Sequence, residues 1–221
     1  MLATSLESMQ HQLAHDPSPS LRPIVVPIVV LVLIVFAVKH IGVIAHEGAH
    51  AIAGRSMGRK VRSVKLNSNA TGATSTQGPE KGLGLVITGF AGYLGPSLFG
   101  LGAASLIALG YTGAVLGLAL LFLIIILFRV RNLFGVISVL VNAALLVLIM
   151  RYGSAKLQDG AAYVLSWLLL LSGVGHVLTD GSNAVDAARL REITHIPRIV
   201  WFTLWLVITV AVLVAGARML T

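Results

Sequence analysis

Long apolar runs separated by short polar connections make up almost all of the chain after residue 22. About 20 apolar residues in a helix cross a hydrocarbon core ~30 Å thick. About six stretches approach that length, at roughly 24–45, 83–109, 112–128, 133–150, 161–178 and 199–219. The third is short and meets the second at a tight Gly110-Tyr111-Thr112-Gly113 junction, which predicts a helical hairpin. Residues 60–78 break the pattern: they are polar, with Val61, Val64 and Leu66 as the apolar members. Their β-branched residues and the turn signal Asn67-Ser68-Asn69-Ala70-Thr71-Gly72 predict a short β-hairpin-like loop after the first helix. Residues 1–22 are polar and read as a disordered tail, with His15-Asp16-Pro17-Ser18-Pro19-Ser20 as its most turn-prone part. They lack the basic residues of a signal-peptide n-region, and the apolar run behind them is too long for an h-region. The expected fold is all-α and integral to the membrane, with residues 23–221 as a single polytopic domain.

Composition turns an apolar pattern into a membrane protein. Charged residues make up 11% and hydrophobic ones 57%, with mean hydropathy +0.92, whereas soluble domains carry about a quarter charged residues. Cysteine is absent, which excludes disulfide and thiol chemistry. The 16 basic against 8 acidic residues do not call for nucleic acid. No contiguous basic helix or aromatic stacking surface accompanies them, and basic loops facing the cytoplasm and anionic lipid account for the excess.

The positions of those charges set an orientation. Arg55, Arg59, Lys60, Arg62, Lys65, Arg129, Arg131, Arg189, Arg191 and Arg198 fall on one side of the six spans; Arg22, Arg151, Lys156 and Arg218 fall on the other. The richer side is cytoplasmic. Both termini are then external, and the end of the first span lies near the cytoplasmic face. The sequon letters Asn69-Ala70-Thr71 carry no glycosylation there.

That end of the first span reads His46-Glu47-Gly48-Ala49-His50. On a helix, HExxH places two imidazoles at i and i+4, on one face and a turn apart, as two zinc ligands require; the Glu between them can reach a water at the metal. The plain alternative is a helix end with two snorkelling histidines. Ionisable groups near a bilayer are costly to keep and are functional candidates by default.

A catalytic zinc takes a third protein ligand. The connection after the fifth span lies on the same face and holds Asp180, Asp186 and Glu192, with His176 and His195 nearby. Asp180-Gly181 ends the span in a turn, while Asp186 stands three residues after Asn183 and could serve a capping box instead. His176 could be a ligand or simply hydrogen-bonded. Spacing alone leaves the choice open. Gly89, Gly92 and Gly95 in the second span fit close helix packing or a thin wall beside the metal.

The chain resembles the site-2 protease clan of intramembrane zinc metalloproteases, and within it the bacterial M50B-like branch. The resemblance runs from about residue 40 onward through Ala45-His46-Glu47-Gly48-Ala49-His50-Ala51, Lys65-Leu66-Asn67-Ser68 with Thr71-Gly72, Gly89-Phe90-Ala91-Gly92-Tyr93-Leu94-Gly95-Pro96-Ser97, Arg131-Asn132-Leu133-Phe134-Gly135, and Val185-Asp186-Ala187 with Leu190, Thr194 and Pro197. It implies Zn²⁺ on two histidines and one aspartate, with Glu47 as the base. The branch's Ser-Asp-Ala-type segment places the aspartate at Asp186. Asp180-Gly181 mimics the Asp-Gly pair of other clan members without the Asn/Pro-containing stretch that precedes it there. The resemblance also implies a bacterial inner-membrane location and a transmembrane protein as substrate. A non-proteolytic zinc-binding membrane scaffold is the alternative. A transporter lined by Ser138, Asn142 and His176 is a weaker third reading.

Overall fold

The first apolar run folds as one helix, α1 (Arg22–Ser56), in the computed structural model of the protein, which describes residues 22–181 and 184–221. Residues 1–21 of the expected tail and Asn183 therefore lie outside the described residues, and Arg22, placed in the tail by the sequence, opens α1. The helix runs past the expected boundary near residue 45, so His46, Glu47 and His50 all lie inside it. Its stop is chemical. Gly58 takes φ 73, a left-handed conformation costly for a residue with a Cβ. That turn lets Arg59 N–H reach the Gly54 carbonyl at 2.8 Å and Gly58 N–H reach that of Arg55 at 3.1 Å, the paired bonds of a Schellman cap.

The chain then turns back as a hairpin, β1 (Lys60–Leu66) and β2 (Gly72–Gln77), antiparallel from Lys60↔Gln77 to Leu66↔Gly72, with a bulge between Val61 and Ser63. The apolar members noted in the sequence are its anchors. Val61, Val64 and Leu66 are buried against Val43 and Ile44 of α1 and against Leu123, Ile126, Val130 and Val139. Arg59 is buried and ties the base of the hairpin together, donating to Thr76 Oγ1 at 3.0 Å and to the Pro79 carbonyl at 2.6 Å. On the other side of β1, Val64 exchanges backbone hydrogen bonds with Arg129 and Arg131 at 2.9 and 3.0 Å. Asn132 brackets Leu66, accepting from its N–H at 3.1 Å and donating to its carbonyl at 2.7 Å.

Five more long or apolar helices and one short one complete the described fold: α2 (Leu83–Ala108), α3 (Thr112–Leu127), α4 (Leu133–Tyr152), α5 (Ala155–Asp180), α6 (Val185–Thr194) and α7 (Arg198–Leu220). Five helices are long and apolar enough to cross a bilayer: Leu31–Ser56 of α1, then α2, α4, α5 and α7. The expected third span is α3, apolar but only 16 residues long. At 1.5 Å per residue it reaches ~24 Å, short of a ~30 Å core. The protein is a multi-pass membrane protein. Leu118, Val164 and Val207 stand 55%, 57% and 61% exposed, which hydrocarbon tolerates and water penalises.

Residues 36–221 form one compact unit, and α2 is central to its packing, against α5 and α7. Small residues make the closest approach possible. A Cβ on Gly100 would stand 2.7 Å from the Leu170 nitrogen, one on Gly173 would collide with Ser97, and Ser166 donates across the crossing to the Gly100 carbonyl at 3.0 Å. Ser138 and Asn142 are buried in α4, where Asn142 donates to the Ser138 carbonyl one turn back.

Candidate metal centre

Helical spacing brings His46 and His50 together, and the fold adds one carboxylate. His46 Nε2 and His50 Nε2 lie 3.1 Å apart; Asp186 Oδ2 lies 3.4 Å from the first and 3.2 Å from the second. Among the described residues this is the group of His and acidic side chains whose ligand atoms all fall within 4.8 Å of one another. Tetrahedral bonds of ~2.0 Å separate ligand atoms by ~3.3 Å, so the triangle matches what zinc needs. Two nitrogens and one oxygen also match a catalytic rather than a structural donor set.

Each of the three side chains is held from behind. His50 Nδ1–H donates to the carbonyl of Thr88 on α2 at 2.7 Å, leaving Nε2 with its lone pair towards the centre. The His46 ring packs edge-on against Tyr93, with centroids 4.7 Å apart. Asp186 is the second residue of α6, where the helix dipole favours a negative charge. The Asp186 carboxylate faces the histidines, and Ala184, the N-cap residue of α6, makes no side-chain cap hydrogen bond.

The stripe of glycines has two uses. Gly92 faces the centre: a Cβ there would stand 2.6 Å from His46 Nε2 and would collide with His50 Nε2. Gly95 serves the α1–α2 contact, where a Cβ would collide with Ala49. A thin wall beside the imidazoles and close helix packing are therefore both present.

The remaining candidates take other places. Asp180 accepts from the Tyr93 hydroxyl at 2.5 Å and is not in the cluster. His176 lies beside His46 with ring centroids 5.7 Å apart, and its Nδ1 is buried with no hydrogen-bond partner among the described residues. His195 caps the end of α6 in a left-handed conformation. Trp205 of α7 backs Tyr93 at 4.5 Å and donates to the Phe90 carbonyl at 3.0 Å.

Glu47, between the two histidines, is 4% exposed. The hairpin covers it: Thr74 Oγ1 lies 2.6 Å from Glu47 Oε2, and Gly72 packs against the same carboxylate. Thr74 and Thr88 carry no signal in the sequence. One contributes a hydroxyl from an irregular polar strand, and the other only a backbone carbonyl. Tyr93 belongs to the Gly-Tyr-Leu-Gly-Pro stretch, but nothing in that stretch tells of its contact with His46.

A protein-family model described as Peptidase M50B-like matches residues 23–216 of the chain. No curated protein and no solved structure matches it.

Proposed function

We propose that this chain, which belongs to the Peptidase M50B-like family, is an intramembrane zinc metalloprotease that hydrolyses peptide bonds in or near transmembrane segments of other membrane proteins. The observation that carries the reading is Glu47, buried and held by the hairpin, on the same stretch of helix as two of the three side chains of the His46, His50 and Asp186 triangle. A scaffold needs a metal site; it does not need an acid held beside one.

His46, His50 and Asp186 hold the metal. Zn²⁺ bound there supplies a Lewis acid that polarises the scissile carbonyl and acidifies a neighbouring water. Glu47 takes the proton of the attacking water on its carboxylate and later delivers it to the leaving amine nitrogen. His50 is kept in the right tautomer by Thr88, so its Nε2 stays available. The substrate helix has to unwind to expose a peptide bond, and in a bilayer the freed backbone groups need new partners. The hairpin supplies them by strand addition, because β1 is already paired on both sides and, among the described residues, β2 is paired only with β1. With α3 counted as a crossing, which the pairing of Val64 with Arg129 and Arg131 supports, loop charges favour a site near the cytoplasmic face, and the family resemblance favours a bacterial inner membrane.

The test compares cells making wild-type protein with cells making Glu47→Gln. Profiling new protein N-termini in the membrane fraction should reveal cleavage products that depend on Glu47. Identical profiles, with zinc bound to both proteins, would favour the scaffold.

A further inference from the structure

A carboxylate that works as a general base has to be held close to its productive geometry, and a Glu side chain has several free torsions. Glu47 is held by a strand remote from its own helix. Thr74 Oγ1 stands 2.6 Å from Glu47 Oε2 and 3.0 Å from the Glu47 backbone carbonyl. A hydroxyl has one proton, and the nearer, charged oxygen is the stronger acceptor. Two residues earlier, on the same face of β2, Gly72 packs against the rest of that side chain: a Cβ there would stand 2.5 Å from Glu47 Cγ and 2.7 Å from Oε1. The strand cannot drift away, because its partner β1 is fixed to the α3–α4 connection through Val64 and Asn132.

We infer that Thr74 is a positioning residue for the base: its hydroxyl fixes Oε2, and the missing side chain at Gly72 keeps Oε1 free to take the proton. The hairpin thereby sets the rotamer of Glu47 as well as covering it. This rests on the protease reading, in which Glu47 is the base.

Acetohydroxamic acid tests it without a substrate. It gives up its hydroxyl proton when it chelates a divalent metal, so a fixed base beside the metal tightens its binding. Co²⁺-loaded protein in detergent would be titrated with it and followed by the visible d–d bands. Wild type, T74S, T74V and E47Q should all load Co²⁺. T74V should bind the probe about tenfold more weakly or worse, the scale of losing a group that orients a metal site. T74S should bind as wild type does, and E47Q should be at least as weak as T74V. Hydrogen exchange across residues 60–77 should be the same in T74V and wild type.

Tight binding by T74V, or weak binding accompanied by faster exchange in the hairpin, overturns the proposal and leaves the protease reading standing. A wild-type protein that takes up no Co²⁺, or E47Q that binds the probe as wild type does, overturns the reading and the proposal with it.

Discussion

The Nδ1 of His50 sits 2.7 Å from the backbone carbonyl of Thr88, on the facing helix. A carbonyl only accepts, so Nδ1 carries a proton, and in the neutral ring that a metal needs Nε2 presents its lone pair. That nitrogen is the corner shared by the two shorter sides of the ligand triangle, 3.1 Å to His46 and 3.2 Å to Asp186. The orientation of the His50 ring is thus fixed by the fold itself.

Purified protein should accordingly carry about one zinc per chain, and His46→Ala or His50→Ala should hold less than about a tenth of that. Metal analysis after size-exclusion in detergent gives the answer. Equal zinc in wild type and the double variant would end the metal hypothesis.

The two aspartates should behave differently. Asp186 points its Oδ2 at both histidines, whereas Asp180 accepts from Tyr93. Asp186→Asn removes ligand charge and should abolish zinc retention. Asp180→Asn should keep its zinc and lose about 1 kcal/mol of stability, the worth of one hydrogen bond. A zinc-loaded Asp186→Asn beside a zinc-free Asp180→Asn would reverse the assignment.

Gly92 offers a steric test that leaves every donor atom in place. A Cβ there would press on both imidazoles, whereas one on Gly102 of the same helix would meet nothing within 4 Å. Gly92→Ala should lose most of its zinc and cost about 1–3 kcal/mol, as overpacking does. Gly102→Ala should keep its zinc and, if anything, stiffen α2. Matched zinc contents in the two variants would mean that the wall beside the metal yields.

Much of this was legible in the sequence, for reasons tied to particular residues. The spans follow from length and apolarity, and His46 and His50 from a helical period that brings i and i+4 together. The hairpin was visible because Val61, Val64 and Leu66 are β-branched or apolar in a polar stretch, and these three became its buried anchors. Span boundaries were harder. The helix α1 passes its last apolar run and stops only at Gly58, and α5 starts early because Ser154 caps it, accepting from Leu157 N–H at 3.3 Å. Which aspartate joins the two histidines was out of reach of spacing, since Asp180 ends α5 and Asp186 stands in the first turn of α6, on either side of one short connection. Thr88 was illegible altogether: what it contributes is a carbonyl that every residue has.

The anchor of the hairpin gives a last prediction. Asn132 satisfies both backbone groups of Leu66, donating to one at 2.7 Å and accepting from the other at 3.1 Å. Gly135 leaves room for that side chain, because a Cβ there would stand 2.7 Å from Asn132 Oδ1. Leu66 itself is 1% exposed, so losing Asn132 strands a buried donor and a buried acceptor. Each orphaned group costs about 1–3 kcal/mol. Asn132→Ala should therefore loosen the hairpin locally, while the helices, whose hydrogen bonds are internal, stay closed. Hydrogen exchange should quicken across residues 60–77 by about tenfold or more, equivalent to ~1.4 kcal/mol, with little change in α2 and α5. Exchange that rises equally in every helix would mean Asn132 supports the whole fold. Unchanged exchange in the hairpin would mean that the Val64 pairing with Arg129 and Arg131 suffices to hold it over Glu47.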